Sequence, residues 1–578
     1  MIPKIVSFFL NTSTSTEKKK AVFIILLSII NSLLTLGFLV TIYLIINFIL
    51  GNSNTIDSTI LKLITNYLPS EKNLILFCTL LLFTSIVSQL FYNLYSNKWI
   101  VGYINRLEKD IFKATLKKDY SFIKAKKSYD YSKLLIDHLP KMSLGIFLPI
   151  LNILTHSVIF LIYILFLLQI NFFVTVIGFL TILILSTTIY FFIKKYLIKL
   201  SIVENDSLRN RIKYLNNSIS LFRELKIYNF KGFFIKSFFA HSDAYFKSRY
   251  IVYFLSNFLK FIFEFLFFLS ILIITYSLVL NTNSENYSNL IGLLSIYILV
   301  MYKLIPSCIL ILNSFASMSS NIKFFDIVKN EYDTIDHHIE ENETPENKNY
   351  KIKSLFLDSI SYNYENKVVL QNLSLNLDIG NNLILTGPTG SGKSTLLDII
   401  SGLIKPSLGS IYLNKHTKVN FENNFFLRKK ISYSSQNIEI FDDNIYNNVT
   451  LNFEKKKSKE EIAKDSKFIK IIELSFVKNL LHQKNLSYTE KFYEKGQNLS
   501  GGEKQRIGIA RALYHDSDIM LFYESTSALD SLLEEKIIKN IINFSHNKIL
   551  IICSHNLNLS KFFKNQLNLD DNKNSRDI

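Results

Sequence analysis

Two short stretches of this 578-residue chain have residue types and spacing suited to holding phosphate. The first is GPTGSGKS: Gly387, Pro388, Thr389, Gly390, Ser391, Gly392, Lys393 and Ser394 follow the apolar run Leu383-Ile384-Leu385. They precede a helical segment that opens at Thr395 and carries Leu396, Leu397, Ile399 and Ile400. A strand, a glycine-rich loop and a helix in that order make a P-loop. The glycines let backbone N–H groups close around phosphate oxygens, and Lys393 reaches the β- and γ-phosphates. Ser394 offers its hydroxyl to Mg²⁺, and the helix N-terminus adds its dipole. The second stretch is LSGGEKQR, Leu499 to Arg506, where Ser500, Gly501 and Gly502 open another helix and form a second phosphate-facing N-terminus without a lysine. Taken alone, such a turn is an ordinary helix cap.

The elements that must position these loops fall in two halves of different composition. Hydrophobic residues make up 49% of the chain, with 48 Phe and 31 Tyr against 17 Gly and 8 Pro, which excludes a disordered or collagen-like protein. Six apolar stretches, at roughly 21–50, 74–96, 142–168, 171–193, 251–280 and 290–316, are each long enough to cross about 30 Å of hydrocarbon as a helix. The first exceeds the roughly 7–15-residue core of a signal peptide and lacks a small-residue cleavage pattern, so it is expected to stay as a helix. The net charge of +18 could suggest nucleic acid. Its location argues otherwise, because Lys and Arg crowd the loops from Lys98 to Lys141 and from Lys194 to Arg249, while the alternate loops carry few. That is the positive-inside pattern; it places both termini in the cytoplasm and removes nucleic acid as a partner.

Within the two basic loops, apolar residues recur at helical spacing in Ile111, Leu116 and Phe122 and in Leu215, Ile219, Phe222 and Leu225, which predicts helices extended beyond the membrane. On the other side, Ile60, Leu61, Ile64 and Leu68 share one face before Pro69, so Ile56–Leu68 reads either as a short amphipathic surface helix or as a capped connector. The polar stretch Asp333 to Tyr350, with His337, His338 and Pro345, reads as a linker. After Ile352 the apolar runs shorten to strand length and alternate with helical segments, as in an α/β domain with a mainly parallel sheet. The expected fold is therefore a six-helix membrane bundle, residues 1–328, a linker, 329–351, and a cytoplasmic α/β P-loop domain, 352–578. Cys78, Cys308 and Cys553 lack metal-ligand spacing and read as reduced core or membrane residues.

With LSGGE downstream of the P-loop, the sequence resembles the ATP-binding cassette transporters. The order of one six-helix bundle and one nucleotide domain resembles their exporter-type half-transporters. The resemblance implies ATP and Mg²⁺ as cofactors and gives further residues their roles. Tyr364 in ISYNYEN matches the aromatic that stacks on adenine, and Gln436 in SSQN matches the Q-loop glutamine, a second contact for Mg²⁺ beside Ser394. Glu503 completes the signature turn. Glu524 matches the catalytic glutamate that polarises the attacking water, Ser527 to Asp530 match a dimer-contacting loop, and His555 matches the switch histidine. The family also implies two copies head to tail, each ATP lying between one copy's P-loop and the other's Ser500–Gly502. Closure would pass to the bundle through segments near Lys117–Lys126 and Phe222–Gly232. A homodimer is the expected assembly, with a heterodimer as the alternative.

The chain departs from the family pattern at Tyr523, where an aspartate normally precedes the glutamate. Loss of such an outer partner lowers metal affinity or activity about 10–100-fold, roughly 1.4–2.7 kcal/mol. The resemblance thus implies a weakened ATPase, or a pseudo-ATPase that binds and switches. For cargo, no peptidase-like segment precedes Ala21, and IYILVMYKLIPSCILILNSF together with Ile56–Leu68 resembles the PglK-type flippases of lipid-linked oligosaccharide. A polyprenyl diphosphate needs cations facing an inner cavity. Lys303 is the first candidate, and Lys260, which Glu264 could pair four residues on, is the second. The implied location is a bacterial inner membrane, with membrane lipid as a partner and a general lipid or drug exporter as the alternative function.

Overall fold

The structure, a computed structural model, describes residues 2–49, 71–118, 120–125, 128–170, 172–281, 287–334, 351–364, 367–421, 425–454, 457–492 and 496–569. The chain divides into two compact units, residues 1–118 with 126–337 and residues 119–125 with 338–578. The segment Ile56–Leu68 and the paired histidines His337 and His338 lie outside the described residues.

In the first unit the described residues are helical: α1 (Ile2–Thr12), α2 (Ser15–Ile49), α3 (Glu71–Lys117), then, past α4 (Tyr120–Ala125) of the second unit, α5 (Leu148–Ile170), α6 (Phe172–Ser220), α7 (Phe222–Ile227), α8 (Lys231–Asn281) and α9 (Tyr287–Asp333). Among the described residues, Ser15–Ile49, Lys72–Lys117, Tyr131–Ile170 and Leu294–Asp333 are long and apolar enough to cross a membrane. α6 and α8 hold the remaining two apolar stretches and run 49 and 51 residues. The helices outlast their apolar cores because the basic segments keep helical spacing; α3, α4, α6 and α7 take up the extensions expected at Ile111–Phe122 and Leu215–Leu225. α9 continues to Asp333, so the domain boundary expected at 328 falls inside a helix and residues 329–333 belong to it.

Packing follows one-face spacing. Leu39, Val40, Tyr43 and Leu44 of α2 meet Tyr163, Phe166 and Leu167 of α5 and Ile296, Tyr297, Val300, Met301 and Leu304 of α9 in one buried cluster. Before α5 the helix loses its regular ladder: Leu134–His138 and Ser143–Phe147 are π-helical turns on either side of Leu139–Met142, which contains Pro140. A proline has no N–H to give to the ladder, so the hydrogen bonds re-register around it. Gly145 sits in the second of these turns, where a Cβ would lie 2.5 Å from the Asn321 side chain, so only glycine lets α9 approach this closely. Arg106 of α3 donates to Glu17 at 2.8 Å and to the Thr12 carbonyl at 2.8 Å, fixing the α1–α2 junction.

The second unit holds a parallel sheet, in keeping with the mainly parallel sheet expected, and also an antiparallel one. β1 (Ser354–Tyr364), β2 (Lys367–Asp378), β4 (Leu408–Leu413) and β5 (Thr417–Lys418) form an antiparallel sheet in the order β2-β1-β4-β5. β3 (Asn382–Thr386), β6 (Ile431–Ser434), β7 (Ile519–Tyr523), β8 (Ile549–Cys553) and β9 (Asn565–Asn568) form a parallel sheet in the order β6-β7-β8-β3-β9. Central parallel strands are covered on both faces and so read as unbroken apolar runs, with alternate residues entering different layers. Leu383, Leu385, Ile519, Leu521, Ile549 and Ile551 join the core under the antiparallel sheet. Ile384, Met520, Phe522, Leu550 and Ile552 join the helical core on the other face. Each such fully buried side chain contributes about 1.5–3 kcal/mol. Three helices complete the frame of the site: α10 (Lys393–Ile400), α11 (Gly501–His515) and α12 (Ser531–Phe544).

Candidate functional site: a nucleotide cradle at the strand ends

The register of the parallel sheet sets four strand ends side by side. Leu385 pairs with Cys553, Cys553 with Tyr523, and Phe522 with Ser434. The next residues along these four strands therefore converge: the P-loop after β3, His555 after β8, Glu524 after β7 and Gln436 after β6. Ligands of open α/β sheets bind outside such carboxyl ends.

The P-loop leaves β3 through three glycines at positive φ, Gly387 at 139°, Gly390 at 91° and Gly392 at 95°. At Gly387 a Cβ would also lie 2.3 Å from the Leu569 carbonyl oxygen. The loop curls over the buried Lys393, whose Nζ donates to the carbonyls of Gly387 at 2.7 Å and Pro388 at 2.9 Å. The buried Ser391 hydroxyl has no hydrogen-bond partner among the described residues. A curled backbone with a lysine at its centre and an unpaired buried hydroxyl fits a polyphosphate. Thr395, also buried, lies in the first turn of α10.

Glu524 is buried and holds φ at +45°, a left-handed conformation that costs a non-glycine residue about 1–3 kcal/mol. Its N–H donates to the Cys553 carbonyl at 3.0 Å, and its Oε1 lies 2.7 Å from His555 Nε2. Gln436 is exposed. Tyr364, half exposed at the end of β1, packs edge-on against Tyr362. The signature turn sits at the start of α11: the Ser500 hydroxyl accepts from the Glu503 N–H at 3.2 Å, while the Ser500 N–H donates to Glu503 Oε2 at 2.6 Å. This capping box, with Lys484 3.3 Å from Glu503, engages the Glu503 carboxylate and leaves Ser500 and Gly501 exposed. Gly502 packs on the loop after Glu524; a Cβ there would lie 2.7 Å from the Ala528 carbonyl oxygen.

With this geometry in place, comparison with known proteins is decisive. The family profile described as "ABC transporter transmembrane region" matches residues 21–304, and the one described as "ABC transporter" matches residues 370–527. The chain belongs to the ABC transporter family. It has the exporter-type half-transporter arrangement, one membrane domain followed by one nucleotide domain. A bacterial Atm1-family ABC exporter solved with ATP bound shares the fold over 96% of this chain and 94% of its own, with a TM-score of 0.73 at 18% identity. Curated relatives match over the nucleotide half. A probable ABC transporter ATP-binding/permease protein of Haemophilus influenzae is 37% identical over 35% of this chain and 36% of its own length. The microcin-J25 export protein McjD of Escherichia coli is 37% identical over 36% of this chain and 34% of its own. The ATP-dependent lipid A-core flippase of Photorhabdus laumondii is 32% identical over 32% of this chain and 31% of its own. These matches span about a third of each relative's length.

In this ABC transporter two further residues organise the site. Gln505, buried in the first turns of α11, donates from Nε2 to the carbonyls of Gln436 at 3.4 Å and Glu524 at 3.3 Å and to the Ser527 hydroxyl at 3.1 Å, and its Oε1 accepts from the Ala528 N–H at 2.9 Å. Glu534 of α12, also buried, accepts from Thr526 Oγ1 at 2.7 Å and from Asn556 Nδ2 at 2.8 Å, tying the loop after Glu524 to the residue after His555. Gln505 lies inside LSGGEKQR, but the sequence alone gives it no role, and Glu534 resembles any surface glutamate of an amphipathic helix.

The metal side of the site fits less well than the phosphate side. Tyr523 ends β7, the strand against which α10 packs. Burial, and then the Glu524 charge, push the phenol above its usual range, so it stays neutral. Among the described residues no group of three His, Cys, Asp or Glu side chains is placed to hold a metal ion. At the strand position where an aspartate would stand, Tyr523 offers no carboxylate beside Ser394 and Gln436.

In the membrane unit, Lys303 is half-buried on α9, one turn before the buried Ser307. The Ser307 hydroxyl donates to the Lys303 carbonyl at 3.2 Å and lies 3.1 Å from His156 Nδ1 of α5. Lys260 falls on α8, and its side chain lies outside the described part of the structure.

Proposed function

We propose that the chain is an ATP-driven exporter whose cargo is an amphiphile with a diphosphate head, a lipid-linked oligosaccharide. The convergence of the P-loop, Gln436, Glu524 and His555 at four adjacent strand ends supports the ATP-driven part. Glu524 would orient the attacking water, with His555 2.7 Å away to hold that carboxylate in place, and Lys393 would neutralise the phosphates. Ser394 and Gln436 are the protein contacts on offer to a Mg²⁺ carried by the nucleotide. Both the P-loop and the Ser500–Gly502 turn occur in this one chain, which favours a homodimer over a heterodimer. Closure would pass to the bundle through the segments near Lys117–Lys126 and Phe222–Gly232.

For the cargo, the supporting observation is Lys303, half-buried on a membrane helix one turn before the buried Ser307, which meets His156 of α5; ionisable side chains there are expensive unless they serve function. The charge asymmetry of the loops supports cytoplasmic termini, and the bacterial sources of the relatives support a bacterial inner membrane. The test is ATP turnover in lipid nanodiscs with and without polyprenyl-diphosphate oligosaccharide, beside Glu524→Gln. Stimulation that the substitution abolishes is expected. Turnover that apolar amphiphiles raise and the diphosphate lipid does not would favour a general lipid or drug exporter. Tyr523 favours a second reading, a nucleotide-switched membrane regulator, for which nucleotide would bind without cargo-dependent turnover.

A further inference from the structure

Glu534 lies in the first turn of α12 and is 6% exposed, while its neighbour Glu535 pairs with Lys561 at 2.9 Å on the outside. The helix cap is made without it, the Leu533 N–H donating to Asp530 at 2.9 Å. The Glu534 carboxylate takes its two hydrogen bonds from neutral side chains of other segments, Thr526 Oγ1 at 2.7 Å on Oε1 and Asn556 Nδ2 at 2.8 Å on Oε2. Burying a carboxylate is costly unless its oxygens are bonded. Here each oxygen has its own donor, and the charge makes both bonds stronger than neutral ones, which stiffens the bridge.

The bridge joins the two turns that carry the reacting groups. Thr526 follows Glu524 by two residues, in a turn where the Ser527 hydroxyl donates back to the Glu524 carbonyl at 2.9 Å. Asn556 follows His555 directly; its N–H donates to Ser554 Oγ at 3.0 Å, and its Oδ1 accepts from the Asn558 N–H at 3.1 Å. Among the described residues, the backbone of β7 is last tied to that of β8 by the Glu524 N–H on the Cys553 carbonyl. Beyond that bond the half-exposed His555 reaches Glu524 through its side chain. We propose that Glu534 is a positioning residue: through Thr526 and Asn556 it holds these two turns at the separation at which Glu524 and His555 meet, and so sets the rate of the hydrolytic step without setting nucleotide affinity. The inference rests on the reading of this site as an ATPase and adds to it a residue of α12.

The test is single-turnover cleavage of radiolabelled ATP by the full-length protein in nanodiscs, beside binding of trinitrophenyl-ATP. Glu534→Leu is expected to slow cleavage about 10–100-fold, the scale of loss when a reacting group is misplaced, with affinity within about threefold of wild type. Glu534→Gln, whose amide can accept from Asn556 and donate to Thr526, is expected to recover all but about threefold of the rate. Thr526→Val, which keeps the shape of the side chain and removes one of the two bonds, should fall between them. In a His555→Ala background, Glu534→Leu should slow cleavage by less than about threefold more, because the pair it positions is already broken. An unchanged rate in Glu534→Leu, an equal loss in Glu534→Gln, a full further loss in the His555→Ala background, or affinity that falls together with the rate overturns the proposal. If Glu534→Leu does not fold, the same measurements on Thr526→Val decide. Wild-type cleavage no faster than that of Glu524→Gln overturns the ATPase reading itself, and this inference with it.

Discussion

His555 Nε2 lies 2.7 Å from Glu524 Oε1, so the two groups that would address the attacking water already form one unit across β7 and β8. Residues that act as a unit are not additive. His555→Ala and Glu524→Gln are each expected to lower single-turnover ATP cleavage by about 100-fold or more, and the double substitution to lower it little further. Single-turnover measurement with radiolabelled ATP checks this. A double variant slower by the product of the two effects would mean that His555 works independently of Glu524.

Gln505 joins three segments that the chain brings together from far apart: the residue after β6, the end of β7 and the loop leading to α12. Gln505→Leu removes the hydrogen bonds that this buried side chain makes to the Gln436 and Glu524 carbonyls, the Ser527 hydroxyl and the Ala528 N–H, each worth about 0.5–1.5 kcal/mol net. The expected outcome is a destabilised nucleotide domain in denaturant titration and turnover reduced at least about tenfold. Trinitrophenyl-ATP affinity should stay near wild type, because Gln505 does not touch the P-loop. A loss of affinity equal to the loss of turnover would show instead that the whole cradle had collapsed.

What the sequence made legible was local. GPTGSGKS and LSGGEKQR each lie within eight residues of chain, and the runs at Leu383, Ile519 and Ile549 are apolar because parallel strands are covered on both sides. The antiparallel sheet is less legible, because the alternation of polar and apolar residues in β1 and β2 marks half-covered strands without naming their partners. Gln505 and Glu534 gave no signal because their importance lies in partners 8 to 69 residues away. Tyr523 is visible as a departure, but the packing of α10 against the strand that carries it is not. The helix end at Asp333 lies past the boundary expected at 328 because Lys329, Glu331 and Asp333 are polar, and a helix exposed to water accepts such residues without ending.

Gly502 illustrates why the signature turn tolerates no side chain on its inner edge. A Cβ there would meet the Ala528 carbonyl oxygen at 2.7 Å, a backbone atom that cannot swing aside as a side-chain tip can. Gly502→Ala is therefore expected to push the loop 525–530 away from α11, lowering turnover at least about tenfold with P-loop binding of trinitrophenyl-ATP preserved. Gly501→Ala meets only the Ala528 methyl, at 3.4 Å, and should be the milder change in the same assay. Equal effects would place the constraint outside this contact.

Lys303 is the residue on which the cargo reading can be broken. A lysine attracts a diphosphate as a point charge, whereas an arginine would add a bidentate hydrogen-bonded fork. Lys303→Ala is expected to reduce stimulation of turnover by polyprenyl-diphosphate oligosaccharide several-fold, and Lys303→Arg to match or exceed wild type. The lipid concentration giving half-maximal stimulation should follow the same order. Ser307→Ala would release both His156 Nδ1 and the Lys303 carbonyl, which lie 3.1 and 3.2 Å from its hydroxyl, and should shift that concentration less than Lys303→Ala does. If Lys303→Ala and Lys303→Arg impair stimulation equally, the position is packed rather than charged for function. The cargo would then be chosen by shape and apolar surface, as in a general exporter.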